Sequence, residues 1–156
     1  MAMRKILIML FALTFSMAVG AQNVDKLYKE GKALYDAKKY KEAFPKLKTA
    51  AEKGHKKAQY RLGRCYAKGR GTAKNTTLAF QWYSKSAAQG HAKAQYRLGK
   101  CYMKGKGTQV DQKKAVYWLK KSVSSSDKGS EILAEIRADA SQGDEDAKAI
   151  LKMIGK

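Results

Sequence analysis

Acidic side chains are scarce in this 156-residue sequence, which has 13 Asp and Glu against 33 Lys and Arg and a formal net charge of +20. The excess lies in the body of the chain, since residues 22–128 hold 27 basic and 7 acidic side chains, whereas residues 129–156 hold 4 and 6. A basic field of this size favours anionic partners, such as nucleic acid, acidic glycans, lipid headgroups or acidic protein segments. A basic surface without a dedicated ligand would have the same composition.

Long apolar runs are also scarce, and the longest one stands at the start of the chain. MAMRK is followed by ILIMLFALTFSMAV, and small residues then precede a polar stretch, which is the pattern of a secretory signal peptide. The run is shorter than the roughly 20 residues of a membrane-spanning helix, so a transmembrane anchor is the less favoured interpretation. We predict a signal peptide over residues 1–21, cleaved after Ala21, and an exported mature chain over residues 22–156, periplasmic or extracellular, with no transmembrane segment.

Proline is nearly absent, with Pro45 as the single example, and no run alternates apolar and polar residues as a strand would. Repetition is what the sequence has instead. AQYRLGRCYAKGRGT at 58–72 returns as AQYRLGKCYMKGKGT at 94–108, 36 positions later. A fixed period in this range indicates an array of supersecondary units. We therefore predict an all-α fold.

Each copy predicts two amphipathic helices joined by a glycine turn. One face of the first helix carries apolar or small residues, namely Ala58, Leu62, Cys65 and Tyr66. Paired glycines then allow the backbone to turn. The second helix begins after Asn75 in one copy and after Asp111 in the other, both good N-cap residues.

The flanking segments extend this pattern. Residues 27–55 form a shorter, diverged unit, in which Pro45 predicts a late start or a kink of the second helix. Residues 129–156 contain two acidic, less repetitive helical segments. They suit a cap that covers the last exposed apolar face of the array.

The segments LGRCYAKGRGTAKNTTLAFQWYSKSAAQGH and LGKCYMKGKGTQVDQKKAVYWLKKS resemble Sel1-like repeats. Both have the LG pair, the GxG turn, an acid or Asn before the second helix, and A..W within it; Thr72 and Thr108 depart from the valine that is usual there. The first unit looks closer to a tetratricopeptide repeat. The resemblance implies an α-solenoid of antiparallel helix pairs in a right-handed superhelix, which serves as a scaffold for protein–protein interaction without catalytic chemistry. The single domain would divide into residues 22–56, 57–92, 93–128 and the cap at 129–156.

Only two cysteines are present, Cys65 and Cys101, at equivalent positions of the two copies. Two thiols in an exported protein suggest a disulfide. However, equivalent helices of stacked units lie on the order of 10 Å apart, whereas a disulfide needs Cα atoms within about 7 Å. Each cysteine also lies on an apolar helix face, where it acts as a small hydrophobe. We predict two buried free thiols and no disulfide, with an intermolecular or distorted bridge as the alternative.

Histidine is equally scarce, and His55 and His91 stand one per unit at the turn between helices. A metal site needs converging ligands, and a hydrolase needs a nucleophile, a base and an orienting acid. The sequence shows neither arrangement. KGRGTAKN also lacks the strand and the GK[ST] ending of a phosphate-binding loop. We therefore expect no enzyme activity, no metal and no cofactor, and the histidines are predicted to be turn residues.

In stacked helix pairs the first helices line the concave surface, so their solvent-facing positions are the natural binding site. Around each LG pair these positions hold a tyrosine and, four residues later, a cation on the same helix face. The predicted groove residues are Tyr28, Lys32, Tyr60, Arg64, Tyr96 and Lys100, and the predicted basic rim on the turns is Lys68, Arg70, Lys104 and Lys106. The alternative is that both rows are solvated surface, with the tyrosines packed on the neighbouring unit.

These features favour an exported, non-catalytic adaptor whose basic, Tyr-lined groove binds an acidic or extended segment of another protein. The alternative is an anionic envelope or extracellular polymer, such as peptidoglycan, lipopolysaccharide or DNA. Interleaved tyrosine and basic residues would let bases stack. Export argues against an intracellular target, which leaves nucleic acid as the less favoured partner.

Overall fold

The computed structural model describes residues 23–156, so the predicted signal peptide lies outside the described residues. The helices of this part of the chain are joined by turns and loops, and it contains no strand, which confirms the all-α prediction. No helix within it combines the length and the apolar character that crossing a membrane requires. The helices are α1 (residues 23–36), α2 (Tyr40–Glu52), α3 (Lys56–Lys68), α4 (Thr76–Ala88), α5 (Ala92–Lys104), α6 (Gln112–Val123), α7 (Gly129–Ser141) and α8 (Glu145–Ile154).

Several helices begin where a side chain caps the N-terminus. Asn75 and Asp111 accept a hydrogen bond from the backbone amide three residues later, at 2.8 and 2.9 Å, which confirms both predicted caps. His55 and His91 do the same through Nδ1, at 3.1 and 3.2 Å. The histidines, predicted only as turn residues, therefore start α3 and α5.

Pro45 lies inside α2, which begins at Tyr40 and continues to Glu52. Of the two alternatives predicted for this helix, the late start is therefore wrong, and the kink stays a prediction. Proline removes one backbone hydrogen bond from the helix. Burial of Ala43 and Leu47, which are completely inaccessible to solvent, holds α2 against its neighbours and offsets that loss.

The two helices of a unit approach each other at the glycine of the LG pair. A Cβ added at Gly63 would lie 2.6 Å from the ring of Tyr83, and one at Gly99 would lie 2.7 Å from Cγ of Leu119. Real Cβ atoms do not come so close to a neighbour. The glycine therefore sets the distance between the helices, because hydrogen is the only side chain that fits.

Buried side chains form a row of clusters along the chain. One cluster joins Leu62 to Ala50 of the preceding unit, and another joins Tyr83 to Leu98 of the following unit. A third unites Leu119 of α6 with side chains of α7 and α8, including Ile132 and Ile150. The C-terminal helices thus cover the apolar face of the last repeat unit, as predicted for a cap.

Consecutive units are also joined by an aromatic ring that stacks on a histidine. Tyr28 lies 4.3 Å from His55 and Tyr60 lies 4.8 Å from His91, measured between ring centroids. Burial lowers the pKa of His91 to about 4, and it is also the main cause that lowers the pKa of His55. A neutral imidazole can accept the capping hydrogen bond at Nδ1, so the low pKa and the cap depend on each other.

Gly63→Ala is expected to lower the free energy of unfolding by about 1–3 kcal/mol, because the added methyl group meets the Tyr83 ring in a packed interface. Gly99→Ala should act in the same direction against Leu119. In a solvent-exposed helix the same change raises the free energy of unfolding by roughly 0.5–1 kcal/mol. A decrease in these variants therefore indicates that the glycine lies against the neighbouring helix. Urea denaturation followed by circular dichroism measures it. Two variants as stable as wild type or more so would contradict this packing.

Stability should fall as the pH drops from 6.5 toward 4, because an unfolded His91 binds a proton over this range and the folded one does not. The expected loss from His91 between pH 7 and pH 5 is about 2 kcal/mol. His91→Asn keeps a capping oxygen and removes the titration, so its free energy of unfolding should depend less on pH. Urea midpoints at several pH values measure this. An unchanged pH slope in the variant would exclude His91 as the source.

Candidate anion-binding cleft

A cleft with a volume of about 460 Å³ opens between α3, α4 and α5, and the first turn of α8 borders it. We call it the basic cleft. Ala67, Ala79, Tyr83 and Cys101 supply most of its apolar wall. Its polar lining consists of Arg64, Lys68, Lys74, Thr76, Arg97, Lys100, Lys104, Lys106 and Asp146.

Seven of the side chains that line the basic cleft are cationic, and one is a carboxylate. Arg64 and Lys68 project from α3, and Lys100 and Lys104 project from the equivalent positions of α5. Spacing of four residues puts the members of each pair on one helix face. The repeat thus places two cation pairs side by side, where their mutual repulsion favours a bound anion.

The carboxylate is Asp146, in the first turn of α8. It forms an ion pair with Lys104 and lies 4.0 Å from Nζ of Lys100. The hydrogen bond from Lys104 holds the pKa of Asp146 below its usual value. Burial, together with the charges of Arg97 and Lys104, lowers the pKa of Lys100, and Asp146 opposes that shift. The cleft therefore holds more positive charge than its own carboxylate balances.

A smaller depression of about 220 Å³ shares Arg64 and Arg97 with the basic cleft. Tyr60 and Tyr96 form part of its wall. The guanidinium of Arg64 lies 5.9 Å from the centroid of Tyr60, and Nζ of Lys100 lies 5.6 Å from that of Tyr96. In these two units the tyrosine and the cation four residues later therefore share a helix face. Burial raises the pKa of Tyr96 to about 12.

The structure brings together five of the ten predicted binding residues. Two of the five were predicted for the groove and three for the rim, and all five line the basic cleft. They are Arg64, Lys100, Lys68, Lys104 and Lys106. Their role in binding stays a prediction, while their convergence is a property of the fold.

The other predicted residues lie elsewhere or face inward. Tyr60 is only 9% exposed, so its prediction as a solvent-facing residue is wrong, because its ring packs on His91 and Tyr83. Tyr28 stacks on the other histidine cap, outside the basic cleft. Lys32 forms an ion pair with Asp36 at 2.7 Å.

Arg70 belongs to the junction between the first two units, not to the rim of the basic cleft. Its Nη1 donates a hydrogen bond to the hydroxyl oxygen of Tyr35 at 2.6 Å, and its guanidinium lies over the ring of Tyr40. The equivalent residue in the next unit, Lys106, lines the basic cleft. One turn position therefore has different surroundings in successive units, since Arg70 faces Tyr35 and Tyr40 and Lys106 faces the basic cleft.

Lys74, Arg97 and Asp146 line the basic cleft but were not among the predicted binding residues. Arg97 had a signal, since an arginine precedes the LG pair in both copies. Asp146 had none, because it comes from the C-terminal cap and reaches the cleft only through the packing of α8. Lys74 stands in a loop where the copies differ, with Val110 at the equivalent position.

Both cysteines are buried, as predicted, but their surroundings differ. Cys65 packs with Tyr35 and Leu47, while Cys101 packs with Tyr83 and borders the basic cleft. Burial raises the pKa of each thiol to about 11. Both are thus neutral thiols at pH 7 and act as core side chains.

The chemistry that this site offers is charge recognition. Within residues 23–156, no group of three or more His, Cys, Asp and Glu side chains is arranged to hold a metal ion. Lysine and arginine side chains at a concave surface bind carboxylates and other anions through charge-assisted hydrogen bonds. The basic cleft is therefore a candidate site for an anionic ligand.

Comparison with known proteins agrees with the repeat architecture. The family model described as Sel1 repeat matches residues 56–91 and 92–127, which contain α3–α4 and α5–α6. A Sel1 repeat protein from Oxalobacter formigenes is 31% identical to this chain, with a TM-score of 0.62 over 90% of this chain and 96% of that one. The Helicobacter pylori cysteine rich protein B is 26% identical, with a TM-score of 0.51 over 70% of each chain.

The fold also occurs within a larger bacterial protein. The Escherichia coli protein c5321, a protective antigen present in uropathogenic strains, has a TM-score of 0.65 and 23% identity over 90% of this chain and 30% of that one. A search of curated proteins finds no match. Because the likeness to a Sel1 repeat protein extends over nearly the whole of both chains, and two Sel1 repeats follow each other within it, this chain belongs to the Sel1 repeat family.

Proposed function

We propose that the protein is an exported, non-catalytic interaction module that binds an acidic, extended segment of another protein in the basic cleft. The observation that carries the proposal is the charge of the cleft. Lys100 and Lys104 have Asp146 as a partner, and no carboxylate within residues 23–156 forms an ion pair with the other five cations. Those five are Arg64, Lys68, Lys74, Arg97 and Lys106.

Unpaired cations at a concave surface stabilise a bound anion more than cations on a convex surface do. The walls of a cleft exclude part of the solvent, so each charge is screened less there. Apolar side chains between the cations, such as Ala67 and Ala79, offer contact to the backbone or to the aliphatic part of a ligand. An acidic peptide has both kinds of group.

Two considerations support a protein partner over a polyanionic polymer. Sel1 repeat proteins are generally scaffolds for protein interaction, and the family is generally non-catalytic. The basic cleft is also bounded, because α8 borders it and contributes a carboxylate. A long polymer would extend past that carboxylate, whereas a short acidic segment can lie within the cleft beside it.

Export is part of the proposal and depends on the sequence. The charged start and the apolar run at the beginning of the chain are typical of a secretory signal peptide. An exported module would meet its partner in the periplasm or outside the cell.

The test is a pair of charge reversals in the basic cleft, Lys68→Glu with Lys106→Glu. The double variant should bind a fluorescein-labelled deca-glutamate peptide at least tenfold more weakly than the wild type, because two attractive charges become repulsive. Fluorescence anisotropy at fixed ionic strength measures the dissociation constant. Lys68 ends α3 and Lys106 lies in a turn, so neither change opens the core.

The matched control is Lys53→Glu with Lys120→Glu, which changes the net charge by the same amount. Lys53 follows the end of α2 and Lys120 lies in the last turn of α6, both outside the basic cleft. Its peptide affinity should fall less than that of the cleft variant. Equal losses in both variants would show a non-specific effect of net charge and would contradict the cleft assignment. A ten-nucleotide single-stranded DNA that binds more tightly than the peptide would favour the polymer instead.

A further inference from the structure

Acidic side chains of the two C-terminal helices contact a row of lysines on α5, which consists of Lys93, Lys100 and Lys104. Glu131 of α7 pairs with Lys93 at 2.8 Å, and Asp146 of α8 pairs with Lys104 and lies near Lys100. The acidic tail thus contacts the lysines of α5 in the last repeat unit. This contact shows which ligand chemistry that row accepts, namely carboxylates.

The same row exists one unit earlier in the chain. Its residues are Lys57, Arg64 and Lys68, each of which stands 36 positions before its equivalent in the row of α5. Within residues 23–156, none of these three forms an ion pair with a carboxylate. Arg64 and Lys68 line the same cleft as Asp146. The basic cleft therefore holds one cation pair that is bound to a carboxylate beside an equivalent pair that forms no ion pair with a described carboxylate; Glu135 lines the neighbouring depression with Arg64 but forms no ion pair with it.

We propose that Asp146 is an internal competitor for the acidic partner: its carboxylate occupies Lys100 and Lys104, and the partner binds first at Arg64 and Lys68. This inference rests on the proposed function, since it concerns how the same cleft recognises its ligand. Two consequences follow from the geometry. A bound acidic segment is repelled by Asp146, and the cations of α5 become fully available to it only when Asp146 is removed or displaced.

Asp146→Asn tests the inference directly. Asparagine keeps the size and shape of the side chain and removes its charge, so the variant should bind the labelled deca-glutamate peptide about threefold to tenfold more tightly than the wild type. The dissociation constant is measured by fluorescence anisotropy with the full chain. Asp146→Ser serves as a second variant, and thermal melting of both verifies that α8 remains folded.

Glu145→Gln is the matched control. Glu145 precedes Asp146 in the same helical turn, its side chain is 83% exposed, and it pairs with Lys148 outside the basic cleft. The change in net charge is the same. Tighter binding by the Asp146 variants, with Glu145→Gln close to the wild type, supports an internal competitor. An equal gain in all variants, or no gain in the Asp146 variants, overturns it.

A second substitution pair tests where the partner binds. Arg64→Gln with Lys68→Gln should abolish most of the peptide affinity in the wild-type background. In the Asp146→Asn background, part of that affinity should return, because the α5 pair is then available. The absence of any recovery overturns the inference but leaves the proposed function intact if wild-type binding is present. If neither the wild type nor Asp146→Asn binds the peptide, both the inference and the proposed function are overturned.

Discussion

The close approach of two helices at a glycine is the contact on which the rest of this structure depends. Gly63 and Gly99 each face a side chain of the second helix in their unit at a distance that leaves no room for a methyl group, and Gly31 faces Leu47 in the same way, at a slightly longer distance. This contact sets the rotation of the first helix about its axis. In α3 and α5, the residues one and five positions after this glycine then lie together and line the basic cleft.

Stacking of units is a second constraint, and it uses the same residues that sequence analysis assigned to ligand binding. The rings of Tyr28 and Tyr60 lie on the histidine caps of the following helices, so these tyrosines connect units. In the third unit Asp127 stands where the first two have histidine. Tyr96 packs instead on the cluster of the C-terminal helices. The change of residue coincides with the change from repeat to cap.

The change from repeat unit to C-terminal cap also leaves one buried polar atom without a hydrogen-bond partner among the described residues. Gln59 donates to the carbonyl of Ala51 and accepts a hydrogen bond from Gln89 at 2.7 Å. Gln95 donates to the equivalent carbonyl, but Ser125 replaces the second glutamine, and Oε1 of Gln95 is buried with no partner among the described residues. The repeat pattern thus weakens at its C-terminal end in the polar network as well as in the aromatic stack.

The sequence by itself determined the local structure of this protein. A period of 36 residues, apolar faces at helical spacing and caps such as Asn75 specify helix pairs, because these signals act between residues close in the chain. Cation pairs such as Arg64 with Lys68 were also predictable, since four-residue spacing fixes a helix face.

Only the tertiary structure decided which of these faces meet. Tyr60 became a buried contact because the cap of the next unit packs on it, and Arg70 joined the first unit because Tyr35 accepts its hydrogen bond. Asp146 entered the basic cleft because α8 packs there. Such contacts join residues far apart in sequence and follow from the packing of whole helices, which no local pattern encodes.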